Sequence, residues 1–220
     1  MWDNEPCRAI ENAENASPSG EDTRNRVPAL VRFPVHARNG GTVIIYHYYE
    51  RDQGPLRNLS DLLPDDAERV LSGIRARGET FAARRPVGYL THRRDLEQHV
   101  RGLFIAKGGR PARATPHYFV VERCPWLETW YRDAAWIKLS TEALDEATVS
   151  FTYGDMFPTF SPRVQDGREY RNDVYTLKEI LPVIERYGLP QDWNAGGEFG
   201  PERYVEAQVW CDPPPAMFLP

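Results

Sequence analysis

The chain has 220 residues, of which 41% are hydrophobic and 27% charged, and its formal net charge is −5. This composition is typical of a globular domain and excludes a wholly disordered chain. No apolar run approaches the roughly 20 residues that cross a bilayer, the N-terminus lacks the apolar core of a signal peptide, and the three cysteines show no disulfide or zinc-ligand spacing. We therefore expect a cytoplasmic protein with no membrane segment and no bound metal.

The chain divides into an arm, a domain and a tail. Residues 1–40 mix Asn, Glu, Pro, Ser and Gly with little apolar periodicity, so they cannot bury enough surface to offset the entropy of ordering. We expect this arm to be poorly ordered. A single domain is predicted for residues 41–213, followed by a proline-rich tail over residues 214–220.

The first half of the domain is predicted to hold one strand and two helices. TVIIYHYY favours a strand because it is rich in β-branched and aromatic residues. In PDDAERVLSGIRARG, Pro64 suits the first turn of a helix and Gly78 its end. A second helix is predicted from about Tyr89 to Lys107, where apolar residues recur on one face.

The second half is predicted to be richer in strands. HYFVVE, AWIKLS and TVSFTYGD are typical of short strands, and ERYVEAQVW alternates as a final strand. Before that strand, YTLKEILPVIERYGLP predicts a helix with a capping box at Thr176 and Glu179 and an end at Gly188. This order is not a regular βαβ alternation. We therefore predict an α+β fold with a mixed or largely antiparallel sheet, partly covered by three or four helices.

Residues 84–113 carry an excess of positive charge. Eight arginines and lysines face only two acidic residues there, so the segment carries +6 and the rest of the chain −11. Such a segment can attract an anionic ligand or RNA. It can equally be a solvated helix face that pairs with acids elsewhere, and the sequence fits both interpretations.

The last predicted strand has two different faces. Alternation places Val205, Ala207 and Val209 on one side, and Tyr204, Glu206, Gln208 and Trp210 on the other. Two aromatic residues beside a carboxyl and an amide are typical of the wall of a ligand cleft. An amphipathic strand on a solvated sheet face has the same pattern, so both interpretations stay open.

Further candidate site residues lie earlier in the chain. His47 ends the apolar row of the first strand on the same face as Tyr49, either as a hydrogen-bonded rim residue or as a group that moves a proton near neutral pH. Tyr118 either stacks on a planar ligand or packs in the core. The stretch FTYGDMFPTFSPR, with Tyr153 and Asp155, is predicted to be an apolar loop that closes the core or roofs a pocket.

Two resemblances rest on these stretches. From about Ile44 to Asp212 the chain resembles a family of small uncharacterised bacterial proteins, through YHYYERDQGP, LFIAKGGRP, PHYFVVERCPWL, SFTYGDMFPTFSPR, YGLPQDWN and GPERYVEAQVW. It also resembles the ADP-ribosyltransferase superfamily of the His-Tyr-Glu type, in which an early strand carries His, a later strand or turn carries Tyr, and a late strand carries Glu. The matching positions are His47 in IIYHYY, Tyr118 in PHYFVV and Glu206 in RYVEAQVW.

The second resemblance implies NAD as the substrate and a role for each matching residue. His47 would hold a ribose hydroxyl, and Tyr118 would stack on nicotinamide. Glu206 would orient the ribose 2′-hydroxyl and favour the oxocarbenium-like transition state. The resemblance also implies that the pyrophosphate is clamped by Arg84, Arg110 or Arg113. From the strand faces and the apolar loop we expect further substrate contacts at Tyr49, Tyr153, Asp155, Tyr204 and Gln208.

Other classes of function are open on the sequence. The basic segment would suit a non-catalytic module that binds RNA, a nucleotide or another anionic ligand. An aromatic cleft can also hold a small molecule without turnover, and the carboxyls of Asp155 and Glu206 can serve a hydrolase. The transferase interpretation makes one geometric prediction: the side chains of His47, Tyr118 and Glu206 should converge on a single cleft.

Overall fold

The computed structural model describes residues 42–220, and the predicted arm over residues 1–40 therefore lies outside the described residues. The described residues form five strands, three long helices and two single-turn helices, joined by loops and short 3₁₀ turns. In chain order these elements are β1 Ile44–Glu50, α1 Pro64–Arg77, α2 Tyr89–Ala106, β2 His117–Val121, β3 Ala134–Ser140, β4 Val149–Thr152, α3 Met156–Thr159, α4 Leu177–Tyr187, α5 Pro190–Trp193 and β5 Glu206–Val209.

The five strands form one antiparallel sheet in the order β3-β1-β2-β5-β4. The predicted α+β fold, with a largely antiparallel sheet partly covered by helices, is thereby confirmed. Strands β1, β2 and β5 are direct neighbours in the sheet although they are far apart in the sequence. The strands that carry the three predicted catalytic residues therefore lie side by side.

One face of the sheet packs against α4. Ile45 and Phe119 on the sheet and Ile180 on the helix are almost completely buried in one apolar core, and each such side chain stabilises the fold by about 1.5–3 kcal/mol. The predicted capping box begins this helix, since the Glu179 carboxylate accepts hydrogen bonds from the backbone N–H of Thr176 (2.8 Å) and from its hydroxyl (3.0 Å).

The opposite face of the sheet is covered by two separate apolar patches. Under α2, Phe104 packs in a cluster with Trp210 of the sheet. A second cluster surrounds Tyr204, at the other end of the same strand segment. Between these two positions the chain places Glu206 and Gln208, both buried. The polar groups of the candidate site therefore lie between two patches of the core.

Two segments are more regular than the sequence predicted. The stretch expected to be a loop around Asp155 contains the single-turn helix α3. The proline-rich tail packs on the domain, because the Leu219 N–H donates to the Lys138 carbonyl on β3 (2.9 Å) and Phe218 contacts the main core. Among the described residues, no helix has both the length and the apolar character needed to cross a membrane.

Candidate functional site

The candidate site is built on the face of the sheet that α2 covers. In the register of β2, β5 and β4, Gln208 lies between Tyr118 and Ser150, and Glu206 is paired with Thr152. Directly paired residues of an antiparallel sheet point to the same face. Glu206 is 5% exposed and Gln208 is fully buried, so both polar side chains need partners inside the protein.

A chain of hydrogen bonds supplies those partners. Trp210 Nε1 donates to Ser150 Oγ (2.9 Å), and Ser150 Oγ donates to Gln208 Oε1 (2.8 Å). The Gln208 amide then donates to Glu206 Oε1 (2.9 Å) and to Thr152 Oγ1 (3.0 Å). An indole N–H can only donate, so the direction of the chain is fixed and the Glu206 carboxyl is its final acceptor.

Asp155 is the second carboxyl of the site and the N-cap of α3. Its Oδ1 accepts a hydrogen bond from the Phe157 N–H (2.7 Å), and its Oδ2 accepts one from the Tyr204 hydroxyl (2.8 Å). The preceding Gly154 has φ 108°, and a Cβ there would lie 3.3 Å from the Glu202 side chain. A glycine is therefore required for the turn that presents Asp155.

The two carboxyls share an environment that favours protonation. Burial raises the pKa of Glu206 well above its ordinary range, and the negative charge of Asp155 raises it further. Burial also raises the pKa of Asp155, although its two hydrogen-bond donors oppose the shift. Glu206, which accepts one described hydrogen bond, is therefore the carboxyl that protonates more readily. Carboxyls in different protonation states are typical of acid–base pairs.

A second buried network lies beside this pair on α2. Glu97 Oε1 accepts hydrogen bonds from Arg93 Nε (3.0 Å) and Tyr118 OH (2.6 Å). It also accepts one from Ser60 Oγ (2.7 Å). The Arg93 guanidinium lies over the Tyr118 ring, 4.5 Å from its centroid. Tyr118 is thus fixed at both its hydroxyl and its ring, while Glu97 Oε2 is buried with no hydrogen-bond partner among the described residues.

Aromatic rings form the outer wall of the site. Tyr89 and Phe157 stack with ring centroids 5.2 Å apart and planes 6° from parallel. The Arg85 guanidinium lies 4.9 Å from the Tyr89 centroid and 5.3 Å from that of Trp130. Apolar walls around a few placed polar groups are typical of a small-molecule site. The arrangement can donate or accept a proton and stabilise a developing positive charge.

His47 does not belong to this site, contrary to the predicted convergence. Tyr46 pairs with Val120, and Val120 pairs with Glu206. His47 is one residue further along β1 and therefore points to the other face of the sheet, where its ring lies 5.2 Å from that of Phe119 in the main core. The sequence placed the three residues on neighbouring strands, but only Tyr118 and Glu206 share a face.

Both ring nitrogens of His47 are occupied by the backbone. The Leu56 N–H donates to Nε2 (2.9 Å), so Nδ1 carries the proton and donates to the Tyr118 carbonyl (2.8 Å). Burial lowers the pKa of the imidazole to about 4. His47 is therefore a neutral residue that ties a loop to the sheet, which was the alternative interpretation of this position.

Several predicted ligand contacts also lie elsewhere. Tyr49 stacks beside His47, with ring centroids 6.0 Å apart. Tyr153 is fully buried in the main core, and its hydroxyl donates to the Gly188 carbonyl (2.7 Å). Arg84 is exposed and lies 5.2 Å from the ring centroid of Phe81. Asp155, Tyr204 and Gln208 are the predicted contacts that the fold brings to the site.

Arg110 and Arg113 lie near the other end of β5. Arg110 pairs with Asp145 (3.3 Å), and Arg113 pairs with Asp61 (2.6 Å) and with Asp212. Asp212 lies six positions after Glu206 in the chain, a span of roughly 20 Å if extended. The prediction that these two arginines clamp a ligand beside Glu206 is not supported by their positions.

Arg93 and Glu97 are site residues that sequence reasoning missed. The inward stripe of α2 was assigned to apolar residues, yet Tyr89, Arg93 and Glu97 follow one another at intervals of four along the same stripe. An arginine and a glutamate four positions apart on an inward stripe could have predicted this buried ion pair, because charged side chains are buried where they are paired. Sequence reasoning also selected the exposed Arg84 as a candidate and did not select Arg85.

Among the described residues, no three His, Cys, Asp or Glu side chains are placed to hold a metal ion. Comparisons with known proteins add no further assignment of the site. No family model, curated protein or solved structure matches the chain.

Proposed function

We propose that this protein is an ADP-ribosyltransferase-like enzyme that cleaves the bond between ribose and nicotinamide in NAD. The observation that carries the proposal is a buried carboxyl, Glu206, and a half-buried one, Asp155, that lie close enough for the charge of Asp155 to raise the pKa of Glu206. A carboxylate beside the sugar stabilises the oxocarbenium-like transition state through which a glycosidic bond breaks. Because His47 lies on the other face of the sheet, the convergence that the resemblance predicts fails and does not support the proposal. The proposal uses Tyr118 and Glu206 together with Asp155.

The reaction divides the work between the two carboxyls. The bond from C1′ to the nicotinamide nitrogen breaks, and neutral nicotinamide leaves with the bonding electron pair. Positive charge develops on the ribose, where the ionised carboxyl of Asp155 stabilises it. Protonated Glu206 donates a hydrogen bond to a ribose hydroxyl. An acceptor hydroxyl then bonds to C1′, and its proton moves to Asp155.

The neighbouring groups suit the rest of such a ligand. Tyr118 offers a ring that is fixed by Glu97 and backed on one side by Arg93, so a planar nicotinamide can stack on the ring. The unpartnered Oε2 of Glu97 can accept a hydrogen bond from an amide or hydroxyl of the ligand.

The test is to incubate the protein with NAD and measure nicotinamide release. Glu206→Leu, which removes the hydrogen-bond donor, and Asp155→Asn, which removes the negative charge, should each lower the rate about 100-fold or more, because each group acts in the transition state. Tyr204→Phe removes one hydrogen bond from Asp155 and should shift the pH profile. Tyr49→Phe is the matched control: it deletes a tyrosine hydroxyl on the opposite face and should leave the rate unchanged.

Absence of nicotinamide release from the wild-type protein with water or with any acceptor would refute the proposal. Release that persists in Glu206→Leu with folding intact would refute the role of the carboxyl pair. NAD binding without turnover would favour the alternative of a non-catalytic nucleotide-binding module. Hydrolysis of other glycosides, lost in Glu206→Leu, would favour a carboxylate-pair hydrolase.

RNA binding by the basic segment has less support. Half of the eight basic residues over positions 84–113 form ion pairs within the domain: Arg93 with Glu97, Lys107 with Asp173 and Glu179, Arg110 with Asp145, and Arg113 with Asp61 and Asp212. This favours the interpretation of a helix face paired with acids. RNA binding that falls steeply with salt would reverse this conclusion.

A further inference from the structure

Arg85 has an unusual environment for a surface-proximal arginine. Its guanidinium lies against the rings of Tyr89 and Trp130, at 4.9 and 5.3 Å from their centroids. Its Nε is buried and has no hydrogen-bond partner among the described residues. Arg93, Arg110 and Arg113, by contrast, each pair with a carboxylate. Arg85 therefore carries a positive charge with no described carboxylate partner.

Trp130, whose ring lies beside Arg85, supplies a second hydrogen-bond donor without a described partner. The indole Nε1 of Trp130 is also buried without a hydrogen-bond partner among the described residues. An indole N–H can only donate, so it needs an acceptor. Leaving one buried donor unsatisfied costs about 1–3 kcal/mol, and more when the group is charged. Two neighbouring unsatisfied donors, one of them cationic, indicate a place for an anionic acceptor.

We propose that Arg85 and Trp130 form an anion subsite that takes a phosphate group of the ligand. A guanidinium matches phosphate in geometry as well as in charge. A phosphate presents several oxygens and can therefore accept from both donors at once. The rings of Tyr89 and Trp130 exclude water around the guanidinium, which strengthens its attraction for an anion. The subsite replaces the clamp that the sequence assigned to other arginines.

The subsite lies close to the carboxyl pair. The charge of Arg85 acts on Asp155 and opposes the larger effect of burial, which raises the pKa of that carboxyl. Phe157, whose N–H binds Asp155, stacks on the same Tyr89 ring that Arg85 contacts. A ligand with phosphate at Arg85 thus places its adjoining sugar toward Asp155. In this respect the inference rests on the proposed function and assigns the residues that hold a phosphate of its nucleotide substrate.

Binding can be tested without turnover by titrating the full chain with inorganic pyrophosphate and with ADP-ribose at low salt. Isothermal calorimetry measures the affinity, and the part of the tryptophan fluorescence change that disappears in Trp130→Phe reports on Trp130. Arg85→Met should weaken the binding of both ligands about 10- to 100-fold, as expected for losing a charge-assisted hydrogen bond. Trp130→Phe keeps an aromatic ring and removes the indole N–H, so we expect a loss of about 3- to 10-fold. Arg110→Met is the matched control, with the same charge change at the other end of the sheet and no expected loss.

The outcomes separate this inference from the proposed function. Pyrophosphate binding that depends on Arg85, in a protein that releases no nicotinamide, would support the anion subsite and refute the glycosidic reaction. Nicotinamide release with a KM unchanged in Arg85→Met would refute the subsite and leave the reaction standing. Equal weakening in Arg85→Met and Arg110→Met would show a diffuse charge effect and overturn the subsite. Undetectable binding of pyrophosphate and ADP-ribose to the wild-type protein would overturn it as well.

Discussion

Replacing Glu97 with alanine is expected to destabilise the domain by about 3–5 kcal/mol, because it removes one side of a buried ion pair. The Glu97 side chain is 1% exposed and that of Arg93 is 10% exposed. Without the carboxylate, the Arg93 charge stays in the interior with no neutralising partner. The Tyr118 and Ser60 hydroxyls also lose their acceptor. The loss would be a large part of the roughly 5–15 kcal/mol that holds a domain together.

Two further variants separate charge from hydrogen bonding. Glu97→Gln keeps an oxygen acceptor but not the charge, so its cost should be lower, about 1.5–3 kcal/mol. The double variant Arg93→Met with Glu97→Leu leaves no unpaired charge behind. Replacing both members of a buried pair by apolar residues is often close to neutral, so the double variant should be more stable than Glu97→Ala alone.

Urea unfolding measures these differences through the transition midpoint, provided that the slope of the transition is unchanged. Asp133→Ala is the control, since its pair with Arg51 is about 60% exposed on both sides and should contribute no more than about 1 kcal/mol. A loss below about 1 kcal/mol in Glu97→Ala would refute the reasoning. A double variant no more stable than Glu97→Ala would refute the charge argument and leave only lost hydrogen bonds.

Two predictions concern pH. The pKa of Glu206 is raised in the folded state, so its contribution to stability is present below its unfolded value near 4.5 and is lost as pH rises through the folded pKa. Relative to Glu206→Gln, the wild type should therefore lose stability as pH rises above about 4.5. Parallel curves of Tm against pH for the two proteins would contradict this. The pKa of His47 is lowered to about 4, so its contribution is present above 6.5 and is lost as pH falls toward 4. An NMR titration of the imidazole should show a midpoint near 4, and a midpoint near 6.5 would show that the ring is not held by the backbone.

The secondary structure followed from local signals in the chain. Thr176 with Glu179 and the glycine at position 188 set the two ends of α4, and the alternation from Tyr204 to Trp210 assigned opposite faces of β5. These signals are reliable because capping and side-chain alternation depend on residues within a few positions of each other. The segment around Asp155 was the exception. Its two prolines and its aromatic residues predicted a loop, whereas the segment contains a single helical turn.

Local sequence patterns could not predict which residues lie together in the site. His47 and Glu206 lie on neighbouring parts of the sheet, but a shift of one residue in the register of β1 moves a side chain to the other face. The Arg93–Glu97 pair faces inward because polar partners from β2 and the loop before α1 meet it there. Arg84 and Arg85 are consecutive in the chain, and it is the side chain of Arg85 that lies against Trp130.

Composition and periodicity were sufficient for the α+β class, for the helices and strands, and for the two faces of the last strand, since each of these reflects residues close together in the chain. Strand register and contacts between distant segments decided three other features: the closeness of Asp155 to Glu206, the position of His47 outside the site, and the unsatisfied donors at Arg85 and Trp130. The physical reason is that burial and charge pairing act through space, and only the packed sheet brings those groups within reach of each other.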